Sequence, residues 1–349
     1  MTPWQRPAAA LVLAAAVLSA ACGGSGGGKD VVLVTHDSFA IPAQVKAAFE
    51  RETGYRLRIL QGGDAGEMLN RALLTKGDPQ GDAIFGVDNN LLTRAVGVGL
   101  LDAYAPQALE RVAGGYQIDA THELTPIDHA DVCLNIDKRW FASHGVTPPA
   151  TLAALTQARY RNLLVVENPA TSTPGLAFML ATIARFGTGA WQGYWRQLRA
   201  NGVLVVDGWE EAYTTRFSGS AGSTGTRPIV VSYATDPAAE VIFAKTKLTA
   251  APTAVVTDSC FRQIELAGVL EGAKNPAGAR ALIDFMLSRP FQASMPESMF
   301  VLPVRGGTPL PDAFRRYAAF PAAPLELPAA VIGRNRDRWI DEWTQVTLH

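Results

Sequence analysis

Three carboxylates stand just after short apolar segments of the sequence: Asp37, Asp64 and Asp88. Where such segments form strands of an open α/β sheet, the residues that follow lie at the carboxyl edge, which is where these sheets bind ligands. Carboxylates at that edge can neutralise a cationic ligand and accept hydrogen bonds from an amine. The alternative is a local role, as a turn residue for Asp37 and as a helix N-cap within residues 88–90.

Two aromatic rings take similar positions in the second half of the chain. Trp209 follows a strand-like segment and Gly208, and Tyr233 ends another such segment. A Trp face attracts a cation by about 0.5–2 kcal/mol, and a Tyr can both stack and donate a hydrogen bond. The alternative is that both rings pack inside the fold. Ser172 precedes Pro174 at the start of an apolar helix, where it either caps the helix or faces an anion or hydroxyl oxygen.

The segments that must position these residues alternate between strand and helix patterns. The predicted strands are 31–34, 56–60, 82–87, 163–166, 203–206 and 229–232, and the predicted helices are 43–52, 67–75, 90–97, 176–186 and 210–217. This alternation indicates two α/β halves, followed by a mainly helical C-terminus over 278–287, 291–294 and 328–344. Two apolar segments, 130–135 and 261–266, are expected to cross between the halves. Residues 218–227 have low complexity and predict a mobile surface loop.

Composition and motifs argue against several functional classes. The 349 residues carry 31 Lys and Arg against 32 Asp and Glu, so the basic excess that is usual in a nucleic-acid binder is missing. The one long apolar run lies at the N-terminus, which argues against several membrane spans. The five His are scattered, and P-loop and dinucleotide-binding motifs are not found. We therefore predict no metal site, no cofactor and no catalytic residue.

The N-terminus predicts export. Arg6 precedes an uncharged run over 8–21 that suits a signal peptide and is short for a bilayer span. The small residues before Cys22 resemble a bacterial lipoprotein signal, in which that Cys is acylated and anchors the protein. We expect a signal peptide at 1–21, a lipidated Cys and Gly-rich tether at 22–29, and an extracytoplasmic location at the cell membrane. The alternative is an ordinary cleaved signal followed by an incidental Cys.

Five segments taken together resemble one family: THDSF at 35–39, GVDNNLL at 86–92, TSTPGL at 171–176, GWEEAY at 208–213 and SYATDP at 232–237. Their order and spacing are similar to those of the thiamine-binding proteins of bacterial ABC importers, within the two-lobed, type II class of periplasmic-type solute-binding proteins. The resemblance implies an α/β fold of two lobes joined by two crossing strands, with a helical C-terminus. It also implies a discontinuous lobe 1 at 30–131 plus 263–349, and a lobe 2 with the hinge strands at 132–262.

The resemblance implies a ligand site in the cleft between the lobes. Trp209 and Tyr233 from lobe 2 would face the three carboxylates of lobe 1, and Ser172 would hold the hydroxyl or phosphate end of the ligand. The chain departs from the family at two further predicted contacts. His36 stands where members can have Tyr, and Phe300 stands where a stacking Trp occurs. Both free thiamine and a thiamine phosphate stay open as the ligand.

Two cysteines lie within the body of the chain. In an oxidising compartment Cys133 and Cys260 are candidates for a disulfide, and two buried free thiols are the alternative. Cys133 falls in the first crossing segment and Cys260 just before the second. Because crossing strands run side by side in the family, the resemblance implies a disulfide at the hinge.

The implied function is capture of the ligand by a monomer and its delivery to the permease of an ABC transporter, with no chemistry on the ligand. One alternative is a binding protein for another cation, either a polyamine or ferric iron. Iron would favour a Tyr pair, and the sequence contains no Tyr-Tyr dipeptide. The other alternative is a thiaminase-like enzyme on the same fold. Such an enzyme would need a Cys nucleophile facing the cleft, whereas both body cysteines are placed at the hinge.

Overall fold

The computed structural model describes residues 29–349. The predicted signal peptide, Cys22 and most of the tether lie outside the described residues. The strands are β1 (Asp30–Thr35), β2 (Arg56–Gln61), β3 (Ala83–Asp88), β4 (Leu101–Asp102), β5 (Thr125–Asp137), β6 (Leu164–Glu167), β7 (Leu204–Val206), β8 (Ile229–Tyr233), β9 (Thr253–Leu270) and β10 (Leu302–Pro303). The helices are α1 (Ala43–Thr53), α2 (Ala65–Leu74), α3 (Leu92–Ala95), α4 (Lys138–His144), α5 (Thr173–Phe186), α6 (Trp191–Ala200), α7 (Asp236–Ile242), α8 (Pro276–Met286), α9 (Arg289–Met299), α10 (Asp312–Tyr317) and α11 (Ala329–Thr347).

The strands form one sheet in the order β2-β1-β3-β9-β5-β8-β6-β7, with β4 paired to β9 and β10 paired to β5. β1 is parallel to β2 and β3, and β6 is parallel to β7 and β8. The 13-residue β5 and the 18-residue β9 run antiparallel to each other through the centre and contain both predicted crossing segments. We call the part built on β1–β3 the first half and the part built on β6–β8 the second half.

The carboxyl ends of the parallel strands in the two halves meet. Glu67, in the first turn of the helix after β2, donates its backbone N–H to the carbonyl oxygen of Thr171, in the loop after β6, at 3.0 Å. Gly66 allows this close approach, because a Cβ on that residue would lie 2.5 Å from the same carbonyl oxygen. The two halves are therefore closed on each other at this edge.

Helix α5 is apolar on all sides and is buried from its first turn to Ile183. Ser172 caps it by accepting a hydrogen bond from the backbone N–H of Gly175 at 3.4 Å, and Pro174 lies in its first turn. Both features fix the start of the helix directly after β6. A helix without a polar face must be enclosed, and α5 packs against β9 in the middle of the molecule.

The C-terminal helix α11 contacts both halves. Trp343 is fully buried, and its ring packs edge-to-face on Trp195 of α6 with centroids 5.4 Å apart. Gly333, at the other end of α11, lies against α3, where a Cβ would come within 2.4 Å of Thr93 Oγ1. This helix, which lies within the stretch 263–349 predicted for lobe 1, therefore bridges α3 of the first half and α6 of the second.

The loop at 218–227 is tied down at both ends, although its composition predicts mobility. The backbone N–H of Ser218 donates to the carbonyl of Arg227, and that of Arg227 donates to the carbonyl of Arg216, both at 3.0 Å. The hydroxyl of Ser218 also donates to Asp137 Oδ2 at 2.8 Å. Ser220 is buried, so part of the loop contributes to the interior.

Cys133 on β5 and Cys260 on β9 are joined by a disulfide. The two strands pair on both sides of this point, but their register shifts between Val132 and Leu134. Both cysteines are fully buried. The bond therefore fastens the two central strands where their regular pairing is interrupted.

Candidate ligand-binding cavity

A cavity of about 340 Å³ opens where the two halves meet. This volume lies at the lower end of the range typical of small-molecule sites. Its walls come from the loop after β1, the π-helical turn at Glu211–Arg216 and the two residues before it, the loop at 218–227, the end of β8, α7, β9, and the end of α9 with the segment after it. The lining residues are His36, Ser38, Ala40, Trp209, Glu210, Tyr213, Thr214, Ser220, Ala221, Tyr233, Ala239, Glu240, Phe243, Glu265, Ser298, Met299, Phe300 and Val301.

Aromatic rings from the second half form one wall. The ring of Trp209 stacks on Tyr213 with centroids 5.1 Å apart and planes 11° apart, and Tyr233 lies 6.0 Å away at a tilt of 53°. The indole Nε1–H donates to Ser232 Oγ at 2.8 Å. Stacking and this hydrogen bond together hold the indole in one orientation. Trp209 and Tyr233 are thus both placed at the cavity, where the sequence predicted ligand contacts.

Two phenylalanines stand at the mouth of the cavity. Phe300 packs edge-to-face on Phe243, with centroids 5.3 Å apart, and Phe243 is 50% exposed. Phe300 ends α9 in the left-handed conformation, with φ of 60°. The hydroxyl of Thr235, in the second half, donates to the carbonyl of Phe300, which follows α9. Phe300, the residue predicted to replace a stacking Trp, therefore links the two walls at the rim.

The charges in the lining are all carboxylates. Among residues 29–349, Glu210, Glu240 and Glu265 line the cavity, and no Lys or Arg does. His36 also lines it, but burial lowers the pKa of its imidazole to about 4, so the ring is neutral at pH 7. Its Nδ1 shares a hydrogen bond with Ser38 Oγ at 2.8 Å. The walls therefore present carboxyl groups, and no basic side chain from the described residues, beside aromatic faces.

A row of three acids crosses the sheet at the cavity floor. Glu265 on β9 is the register partner of Asp128 on β5 and of Asp88 on β3. Burial raises the pKa of both Asp128 and Glu265, and the neighbouring Glu265 carboxylate raises the pKa of Asp128 further. His36 Nε2 lies 3.6 Å from Glu265 Oε1. A cation at this point would favour the charged form of Glu265.

Glu240 is held in position from two directions. It accepts a hydrogen bond from the Tyr213 hydroxyl at 2.7 Å and another from the backbone N–H of Ala221 in the loop at 218–227. Burial raises the pKa of this carboxyl group. The loop that was expected to be mobile thus helps to place an acidic side chain at the cavity.

Asp64, a predicted ligand contact, does not line the cavity. It caps α2 by accepting from Ala65 N at 2.6 Å, and it also accepts from the second half: Oδ1 from Thr173 N at 3.3 Å and Oδ2 from Trp209 N at 3.0 Å. Burial raises its pKa to about 6. Its carboxylate therefore joins the two halves directly, behind the aromatic wall.

Three more predicted contacts also lie outside the lining. Asp88 is fully buried and accepts from Leu91 N at 3.0 Å, from both N–H groups of Asn90, and from Gln263 Nε2 at 3.2 Å, and burial raises its pKa to about 6. Ser172 is used as the cap of α5 and as a partner of the Asp64 carboxylate. Asp37 is exposed at the edge of the sheet. Direct ligand contact by Asp37, Asp88 and Ser172 stays a prediction: none of the three lines the cavity, and hydrogen bonds within the fold occupy the side chains of Asp88 and Ser172.

Sequence reasoning missed Tyr213, Glu240 and Glu265. Tyr213 lies four residues after Trp209, a helical spacing that places both on one face, so a signal for it was available. Glu240 likewise follows Asp236 by four residues in α7. Glu265 carries no local signal, since it reaches the cavity through the pairing of distant strands.

Two alternative chemistries lack support in the described part of the chain. Within it, no group of three or more His, Cys, Asp or Glu side chains is arranged to hold a metal ion. Cys133 and Cys260 are bonded to each other, so neither offers a thiolate nucleophile.

A cavity at the meeting edge of two α/β halves, crossed by two central strands, defines an extracytoplasmic solute-binding fold. Residues 81–326 match the family described as bacterial extracellular solute-binding protein. The chain belongs to this family.

Two relatives and one solved structure that are similar to this chain are described as thiamine-binding proteins. The thiamine-binding periplasmic protein of Escherichia coli (strain K12) is 31% identical over 90% of this chain and 92% of its own length. The protein of the same name from Salmonella typhimurium (strain LT2) is 32% identical over the same shares. A solved periplasmic thiamin binding protein superposes with a TM-score of 0.79 at 27% identity, covering 91% of this chain and 96% of the other. The predicted family resemblance and two-lobed fold class are confirmed.

Among residues 29–349, no helix has both the length and the apolar character needed to cross a bilayer.

Proposed function

We propose that this chain captures thiamine in the cavity between its two lobes. The observation that carries the proposal is the lining itself: the faces of Trp209 and Tyr233 stand beside three carboxylates, and the described residues add no Lys or Arg there. A thiazolium cation is stabilised by an indole face and by nearby carboxylates, and an exocyclic amine donates to them. The names of the relatives support the same ligand.

We propose that closure of the lobes drives capture. The lobes comprise 30–131 plus 263–349 and 132–262, with α11 spanning both. Three contacts support closure as the binding step: Glu67 N to Thr171 O, the Asp64 carboxylate to Trp209 N, and Gln263 Nε2 to Thr173 Oγ1 at 3.1 Å. A ligand that touches both lobes favours the closed form by its differential affinity for it.

The mature protein, in this proposal, starts at a lipidated Cys22, works outside the cytoplasm as a monomer and delivers its ligand to the permease of an ABC transporter. It carries out no reaction on the ligand. Replacement of Cys22 by Ala tests the anchor, since the variant should move from the membrane fraction to the soluble extracytoplasmic fraction of the expressing bacterium. Retention of the variant in the membrane fraction would contradict the lipid anchor but not the other parts of the proposal.

Calorimetric titration of the mature chain with thiamine tests the ligand. We expect Trp209→Ala to weaken binding at least tenfold, the equivalent of about 1.4 kcal/mol. Trp140→Ala is the matched control, because Trp140 stacks on His144 away from the cavity. Equal affinities for the two variants would refute the site.

Titrations with spermidine and with ferric citrate test the other cations. If either binds more tightly than thiamine does, that cation and not thiamine is the ligand. Chromatography of thiamine incubated with the protein tests the enzyme alternative. Formation of separate pyrimidine and thiazole products would contradict a pure binding function. Mass spectrometry of whatever small molecule co-purifies with the chain provides an independent identification.

A further inference from the structure

The end of the second half that lies away from the cavity carries a group of arginines. The segments that lead into β6, β7 and β8 meet there: the backbone N–H of Asn162 donates to the carbonyl of Asn201 at 2.9 Å, and the guanidinium of Arg227 donates to the carbonyl of Gly202 at 2.9 Å. We call the surface formed by these segments the arginine-rich end. Its arginines are Arg159, Arg161, Arg196, Arg199 and Arg227.

The positive charge of this end is not balanced within the described part of the chain. The segments 157–163, 196–203 and 222–229 contain no Asp or Glu. All the arginines of this end except Arg227 are exposed, and none of the five forms an ion pair with an acid among residues 29–349. Glu342 of α11 faces α6, but it already accepts from Arg338 at 2.7 Å and from Gln192 at 2.9 Å. The surface is therefore open to an external anion.

The arginine-rich end and the start of the described chain lie at opposite ends of the central strand β9. Ile229, which begins β8, pairs with Ile136 of β5, and Ile136 pairs with Ala254 near the start of β9. Ala83, which begins β3, pairs with Val269 near the end of β9, and β1 runs beside β3. The two ends are separated along β9 by at most about 50 Å. The proposed tether therefore enters the fold at the far end from the arginines.

Two observations favour a lipid surface over a soluble anion as the partner of this end. Leu348, at the end of α11, is 45% exposed, and Arg199 donates to the carbonyl of the next residue, His349, at 2.7 Å. An apolar side chain beside basic ones suits the boundary between headgroups and acyl chains. The second observation is reach: an extended chain from the proposed anchor at Cys22 to Lys29 spans at most about 25 Å, so the whole molecule stays close to the bilayer.

We infer that the arginine-rich end binds the anionic phospholipid surface of the membrane to which the protein is anchored. The guanidinium groups donate to headgroup phosphates, and Leu348 enters the interface beside them. With the tether at one end and the arginines at the other, the molecule lies along the membrane. The inference uses the proposed anchor at Cys22 and does not depend on which ligand occupies the cavity.

Vesicle sedimentation tests the inference on the Cys22→Ala chain, which lacks the proposed lipid. We expect this chain to sediment with phosphatidylcholine vesicles that contain about one third phosphatidylglycerol, and to bind vesicles of phosphatidylcholine alone at least about tenfold more weakly. Salt at about 0.5 M should release it, because counterions screen contacts between exposed charges. Equal binding to both kinds of vesicle, or binding to neither, would overturn the inference.

Charge reversal at two arginines locates the contact. Arg161→Glu/Arg196→Glu, in the Cys22→Ala chain, should weaken binding to the anionic vesicles at least about tenfold, since each basic side chain near such a surface strengthens binding about fivefold. Arg51→Glu/Arg289→Glu is the matched control, because both arginines are exposed on helices of the first half and the change in net charge is the same. The control should bind within about threefold of the unreversed chain. Equal losses in the two variants would overturn the assignment to this end.

Two further comparisons separate the inference from its neighbours. Binding of heparin by the Cys22→Ala chain without binding of the anionic vesicles would show that the arginines serve a soluble polyanion, and would overturn the inference. A membrane fraction washed at about 0.5 M salt should keep the lipidated chain and lose the Cys22→Ala chain, which distinguishes the lipid anchor from this contact. Failure of thiamine to bind would defeat the proposed ligand alone, since no arginine lines the cavity within the described residues.

Discussion

Addition of one methyl group at Gly66 should weaken the closure of the two halves without impairing folding. Gly66 lies in the first turn of α2, and a Cβ there would stand 2.5 Å from the carbonyl oxygen of Thr171 and 2.8 Å from its carbon. Favourable contact between carbon atoms begins at about 3.5 Å, so the two halves must part to admit the methyl group. The obstacle is backbone, which cannot rotate away as a side chain can.

The substitution has two effects of opposite sign, one on the stability of the helix and one on the closure of the two halves. Gly66 is helical, and Ala is favoured over Gly in a helix by about 0.5–1 kcal/mol, so Gly66→Ala should keep or raise the free energy of unfolding. Overlap of this kind costs about 1–3 kcal/mol, and the cost falls on the closed form alone. Thiamine affinity should therefore drop about 5- to 150-fold.

The assay pairs calorimetric titration with small-angle scattering. Gly193→Ala is the matched control, since Gly193 lies in α6, adopts no left-handed conformation and would place a Cβ with no neighbouring atom within 4 Å. At saturating thiamine the control should become more compact, whereas Gly66→Ala should not. Equal affinity and equal compaction of the two variants would refute the link between this contact and ligand capture.

Three further predictions concern stability. Trp343→Ala should lower the free energy of unfolding by about 3–5 kcal/mol in a denaturant titration, because it empties a fully buried site between α6 and α11, whereas exposed Gln345→Ala should change it by less than about 0.5 kcal/mol. Burial raises the pKa of Asp236 from 3.8 to about 8, so its contribution to stability is present in full below pH 3.8 and is lost as the pH rises towards about 8; Asp236→Asn should flatten this loss in melting curves taken from pH 4 to pH 9. Replacement of both Cys133 and Cys260 by Ala should lower the free energy of unfolding by about 2–5 kcal/mol, and thiol titration of the denatured, unreduced chain should find neither residue free.

The alternation of strands and helices was predictable because local sequence patterns indicate it. Short apolar runs bounded by turns predicted the parallel strands, and Ser172 with Pro174 predicted the start of α5. The course of α11 was not predictable in the same way. Trp339 and Trp343 indicate a buried helix face, but nothing local says that this face covers α6.

Two of the predicted contacts lie outside the cavity lining for a common reason. Asp88 and Ser172 sit where ligand contacts were expected, but residues of these types also bond to nearby backbone N–H groups: Asp88 bonds within the turn before α3, and Ser172 caps α5. Sequence alone offers no means of telling the two uses apart. Glu265 is the opposite case, a cavity residue with no local signal. It reaches the cavity because β9 pairs with β3 and β5, whose residues lie more than a hundred positions away in the sequence.

Charge and closure are connected in this cavity. With the lobes apart, water would solvate the carboxylates of the lining, and closing would remove that water without supplying a basic side chain from the described residues. Closure around a cation replaces water with an opposite charge, and closure around a neutral or anionic molecule does not. A ligand shifts the equilibrium between the open and closed forms only by its differential affinity for them. Positive charge is therefore the ligand property that we expect to stabilise the closed form. Under the proposed function, the acids that line the cavity would thus make the closed form depend on the ligand.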